Sequence, residues 1–151
     1  MADGRKVRHW PASALVLAAV GVVLVGIGLY FIFLRPPLLA EDLRFLHLSS
    51  AQLGEIRIPL ELWLKQVFLV LGGYILAAGS LTITVALTAF RQRHRGAAVG
   101  VAVGGAASIG LMTAVNFRID SDFKWALLAV ALLWACSLAL FWFETRTRIG
   151  R

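Results

Sequence analysis

The sequence predicts an all-α integral membrane protein, a single domain over residues 1–151 built as a four-transmembrane-helix bundle. Three observations lead there. Hydrophobic residues make up 60% of the chain and charged residues only 15%, where soluble domains carry roughly a quarter charged. Four segments, residues 11–34, 67–90, 97–117 and 126–143, lie close to the ~20 apolar residues that cross a ~30 Å hydrocarbon core. None of the four contains Asp, Glu, Lys, Arg or His; the charges collect between them.

Basic residues precede the first segment, as in a secretory signal. Its apolar run is longer than a signal core and ends in "YFIFLRPP" with no small-residue cleavage site, which predicts an uncleaved anchor. Pro36 and Pro37 end that helix, because proline cannot continue the backbone ladder. A linker, residues 35–66, follows. Leu39, Leu43 and Leu46 recur at i, i+4 and i+7, the spacing of a short amphipathic helix. Glu41 and Asp42 fall in its first turn, where the helix dipole favours acids. Such a helix lies at the outer interface with its leucines and Phe45 toward lipid or the bundle.

Gly54 then marks a break, and Pro59 suits the first residue of a further helix. Unbroken from 59 to 90, that helix would extend about 48 Å, longer than the bilayer core requires. The excess, "PLELWLKQ", projects as an extension with Leu62, Trp63 and Lys65 near the interface. Together Leu39, Leu43, Phe45, Leu46, Leu62 and Trp63 are expected to form an outer cap.

Within lipid, helices associate through close backbone approach and a few hydrogen bonds. The second span offers Gly72, Gly73, Gly79 and Ser80 for packing, while Thr82, Thr84 and Thr88 can return their hydroxyls to carbonyls of the preceding turn. Tyr74, Ser80 and Thr84 are its groups for a polar-headed apolar ligand. In the third span Gly96, Gly100 and Gly104 repeat every fourth residue, with Gly105, Ser108 and Gly110 nearby. That stripe predicts the central packing helix of the bundle, or else a seam for a second copy or a partner. Trp10, Trp63, Trp125 and Trp142 sit at span ends as interfacial anchors, and Trp134 falls mid-span. Asp122 is placed to cap the fourth helix. Cys136, the single cysteine, is read as a small packing residue.

Orientation follows from Lys and Arg near the span ends. Arg5, Lys6, Arg8, Arg91, Arg93, Arg95, Arg146, Arg148 and Arg151 lie on one side; Arg35, Arg44, Arg57, Lys65, Arg118 and Lys124 lie on the other, spread over longer linkers. Both termini are expected in the cytoplasm, most simply of a bacterial cell inner membrane.

The net charge of +7 does not indicate nucleic acid, because the basic residues flank apolar runs instead of covering a folded face. With no ionisable residue inside a span, proton-coupled transport and ion conduction by a monomer are not expected. His9, His47 and His94 lie outside the hydrocarbon region, "GVAVGG" lacks the lysine of a nucleotide loop, and no nucleophile elbow or metalloprotease helix occurs. Glu41, Asp42, His47, Glu55 and Glu61 hold acid–base chemistry in principle, yet any solvated linker carries such residues. No catalytic site, metal or cofactor is expected. In outline the layout is similar to several small four-span bacterial membrane families, including the DoxX-like proteins; no motif carries that likeness, and it implies no function. The expected function is a non-enzymatic accessory or scaffold subunit that packs against other membrane subunits, or against itself, through its glycine-rich span and outer cap. The alternative is a small bundle that binds a lipid or quinone-like ligand between the second and third spans, beneath the cap.

Overall fold

Four long apolar helices dominate the computed structural model, which describes residues 10–47, 49 and 52–149. They run over Ala12–Phe33, Gly54–Phe90, Arg95–Arg118 and Lys124–Thr147, each long and apolar enough to cross a membrane. No strand occurs among the described residues. We label α1 (Ala12–Phe33), α2 (Ala40–Leu46), α3 (Arg57–Val85), α4 (Arg95–Gly105), α5 (Leu111–Arg118) and α6 (Lys124–Ile149). One π turn, Ala86–Phe90, extends α3; another, Ala106–Gly110, joins α4 to α5 within the third span.

The second span is unbroken, as its sequence suggests, and starts earlier. A 3-10 turn at Gly54–Ile56 leads into α3, whose third residue is Pro59. Within the first helical turn the missing proline N–H has no intrahelical partner to lose. Gly54 takes φ +47°, a left-handed conformation that glycine adopts without a Cβ clash. The 37 residues of this span reach about 55 Å.

The central helix is α1. It lies along α3 for most of its length and also packs on α6, while the third span leans on α6 and on the π turn that ends the second. Its partner seam is glycine against glycine. Gly21 and Gly28 of α1 are two helical turns apart and share a face; Gly72 and Gly79 of α3 do the same. A Cβ on Gly28 would stand 2.6 Å from the Leu76 backbone nitrogen, and one on Gly79 would stand 2.7 Å from that of Val25. The two backbones therefore touch, gaining the dense dispersion contact that replaces hydrophobic driving force in lipid.

The third span is thus not the central packing helix. A Cβ on Gly96, Gly100 or Gly104 would meet nothing within 4 Å. A four-residue stripe states only that one face is small, not that a helix fills it. At Gly105 the neighbour is a side chain: the Trp134 indole occupies the notch and its Nε1–H donates to the Val101 carbonyl at 3.0 Å. Trp134 packs against both buried clusters, one around Leu17, Phe90 and Phe141, the other around Val20, Leu24 and Ile109. The Phe90 and Phe141 rings are 4.6 Å apart.

Candidate functional site: a groove between the second and third spans

Because α4 stands off from α3, a cavity of about 350 Å³ opens between them. Ala78, Leu81, Thr82 and Val85 form one wall, and Gly100, Val101, Gly104 and Ser108 the other; Leu17 and Trp134 close it behind. Leu81, Gly100, Gly104 and Ser108 are exposed, so the groove is open sideways. Its lining is mostly aliphatic and glycine, with Thr82 and Ser108 its two hydroxyls. Ser108 donates to the Gly104 carbonyl, and along α3 Ser80 donates to Leu76, Thr84 to Ser80 and Thr88 to Thr84. The expected back-bonding holds for Thr84 and Thr88. Of the expected ligand groups, Tyr74, Ser80 and Thr84 do not line the groove.

The groove lies between the spans the sequence suggests, but not under the linker. Leu17 is near the start of α1, Val85 near the end of the second span, and Ala97 near the start of α4. All three place it in the half of the bundle toward residues 91–94, opposite α2.

Two polar assemblies close the ends of the bundle. At the end bearing residues 91–94, Glu144 of α6 and Arg93 form an ion pair. Ser13 Oγ–H donates to Glu144 Oε2 at 2.7 Å, the Ala12 N–H donates to Oε1 at 3.0 Å, and Arg93 Nη1 donates to Ser13 Oγ at 2.9 Å. Pro11 gives α1 no side-chain cap, so the Glu144 carboxylate, reaching over from another helix, takes that role. Arg93 has φ +67°. It is the left-handed residue that ends the second span: the His94 N–H donates back to the Ala89 carbonyl, five residues earlier. Glycine is usual there, and a side-chain-bearing residue costs about 1–2 kcal/mol. The Arg93 guanidinium offsets that cost through Glu144 and Ser13 and sits 5.1 Å from the Phe141 ring. Its Nε is buried without a partner. Sequence reasoning took Arg93 only as an orientation charge and missed the pair; the available signal was Glu144 itself, a lone acid in "FWFETRTR".

At the linker end, α2 is fastened by charge. Glu41, 5% exposed, accepts from Ser121 Oγ–H at 3.0 Å and from the Asp122 N–H at 2.9 Å, and Arg44 pairs with Asp122 at 2.8 Å. The inward contact is thus Glu41, while Leu39 and Leu43 are half-buried and Phe45, Leu46, Leu62 and Trp63 are exposed. Asp122 does not cap α6; the Ser121 hydroxyl accepts the Phe123 N–H instead. Arg35 lies 3.5 Å from the Phe68 ring centroid and 5.3 Å from that of Phe31, and it pairs with Asp42. Lys124, by hydrogen bond and then by charge, holds the Asp120 carboxyl below the usual carboxylate range. Glu61 pairs with Arg57. Of the acids weighed for catalysis, Glu41, Asp42 and Glu61 are thus held by separate partners, and no group of three His, Cys, Asp or Glu converges among the described residues.

Glu41→Ala strands the Ser121 hydroxyl and the Asp122 N–H and should cost about 1–3 kcal/mol. Limited proteolysis of the purified protein is expected to cut the 34–53 segment faster than in the parent chain; equal rates would show that Glu41 does not hold α2 down.

Comparison with protein-family models, with curated proteins and with solved structures found no match.

Proposed function

We propose that this chain is a non-enzymatic membrane bundle that receives an apolar, membrane-resident molecule, a lipid or quinone-like ligand, in the groove between its second and third spans. The observation that carries the reading is the groove's size and lining. At about 350 Å³ it falls at the low end of ligand pockets, ~300–1,000 Å³, enough for a chain and too small to enclose a helix. A second reading, an accessory subunit packing on another membrane protein, is favoured by the open face of Gly96, Gly100 and Gly104.

Gly100→Leu with Gly104→Leu separates occupancy from folding. Both positions face open space, so thermal stability should be kept or raised, by up to about 1 kcal/mol per helical glycine removed, while the groove fills. Native mass spectrometry from gentle detergent is expected to show a lone chain with a reproducible bound molecule that the double variant loses. Stoichiometric protein subunits in its place favour the second reading; a bound molecule indifferent to the substitutions removes the first.

The charge distribution supports a bacterial inner membrane with both termini cytoplasmic. The linker helix α2, with acids in its first turn and exposed Phe45 and Leu46, is then amphipathic and lies at the outer interface. A C-terminal fluorescent protein is expected to fluoresce, and alkaline phosphatase fused at the same point to stay inactive; the reverse pattern inverts the topology.

A further inference from the structure

We infer that the occupant of the groove is an anionic phospholipid of the cytoplasmic leaflet, its acyl chain between α3 and α4 and its phosphate beside Arg91 and Arg95. This rests on the groove reading above and on the expected orientation.

Depth is the first argument. The lining of the third span runs from Ala97 to Ile109, about 18 Å at 1.5 Å per residue. That is close to half of a ~30 Å hydrocarbon core. It matches a chain hanging from one leaflet.

Charge is the second. Glu144, the described acid near this mouth, is committed to Arg93, Ser13 and the start of α1. Arg91 lies over the Trp10 ring, 4.0 Å from its centroid, and Arg95 is exposed at the start of α4; neither has a carboxylate partner among the described residues. Neither side chain lines the groove, but Arg91 directly follows the π turn that ends the second span and Arg95 stands two residues before the lining Ala97; cations so placed at the cytoplasmic end of the groove favour anionic headgroups.

The lining also discriminates against a quinone ring, which has two carbonyls to satisfy. The Trp134 and Ser108 donors are engaged by Val101 and Gly104, and of the two lining hydroxyls Thr82 lacks a partner among the described residues. An acyl chain needs none.

The test is native mass spectrometry of the full chain released from nanodiscs of equal phosphatidylglycerol and phosphatidylcholine. One retained phosphatidylglycerol is expected, lost in the Gly100→Leu/Gly104→Leu variant. Arg91→Gln and Arg95→Gln should each lower the preference for phosphatidylglycerol by about fivefold, on the order of the surface attraction of one arginine, with melting temperature unchanged in Arg95→Gln, which breaks no contact with another side chain among the described residues. Equal retention of both lipids overturns the inference, as does phosphatidylglycerol that survives groove filling. A different apolar molecule that groove filling expels refutes the phospholipid and leaves the groove reading standing. A parent chain that retains nothing overturns both.

Discussion

Gly28→Leu is expected to prevent the bundle from folding, and Gly79→Leu to do the same. At each site the first atom a Cβ meets is backbone: the Leu76 nitrogen at 2.6 Å for Gly28, the Val25 nitrogen at 2.7 Å for Gly79. Backbone cannot change rotamer, so relief requires moving α1 away from α3 and losing the seam along its length. Ordinary overpacking costs about 1–3 kcal/mol; a rigid neighbour puts these above that range, against a total of roughly 5–15 kcal/mol. Gly21→Ala should be milder, because a single methyl is added and its backbone neighbours, the Gly79 oxygen and the Ile83 nitrogen, stand at 3.0 Å, although Ile83 Cγ1 at 2.6 Å must also shift. Gly26→Ala is the control. It faces open space on the same helix, and losing a helical glycine gains up to about 1 kcal/mol. Detergent-solubilised yield and thermal unfolding should rank Gly26→Ala above Gly21→Ala, and that above Gly28→Leu. Wild-type behaviour of Gly28→Leu would refute the seam.

Glu144→Ala carries the second large expectation. It leaves the Arg93 side chain, 10% exposed, without its counter-charge and removes the acceptor from the first turn of α1. Breaking a buried pair by removing one partner costs about 3–5 kcal/mol; the 28% exposure of Glu144 places this near the lower figure. Arg93→Lys should not rescue the site, since an ammonium lacks the planar fork that reaches Glu144 and Ser13 together. Replacing both with methionine is expected to recover most of the loss, because the apolar pair has no stranded charge. The double-mutant cycle measures this directly. Additive losses would show that the two residues are not coupled.

What could be read in advance was whatever one helix determines alone. Although Pro59, expected as the first residue of its helix, is the third, four spans, a helix after Pro37 and the back-bonded Thr84 and Thr88 all follow from local composition and spacing. Choice of partner does not. Gly72 and Gly79 were legible as packing residues, but Gly21 and Gly28 gain meaning only when set against them. Gly96, Gly100 and Gly104 form an equally regular stripe and face a groove. Spacing defines a face; helix order decides what meets it. For the same reason the groove was anticipated between the right spans and at the wrong depth. Arg93 and Glu144 are 51 residues apart, so no local pattern could join them.

The central position of α1 has a consequence in time. Of the four spans α1 is made before the three that assemble on it, and domains generally form from the N-terminal side onward during synthesis. When α3 emerges, its glycine face already has its counterpart. The third span meets only part of its surface, at Val20 and Leu24 of α1 and at the π turn Ala86–Phe90; its notch at Gly105 stays empty until α6 delivers Trp134. The same late helix brings Glu144 to close the start of α1. The groove is thus walled by α3 and the third span and finished by α6, and a ribosome stalled before residue 124 would hold the first three spans with the Gly105 notch unfilled.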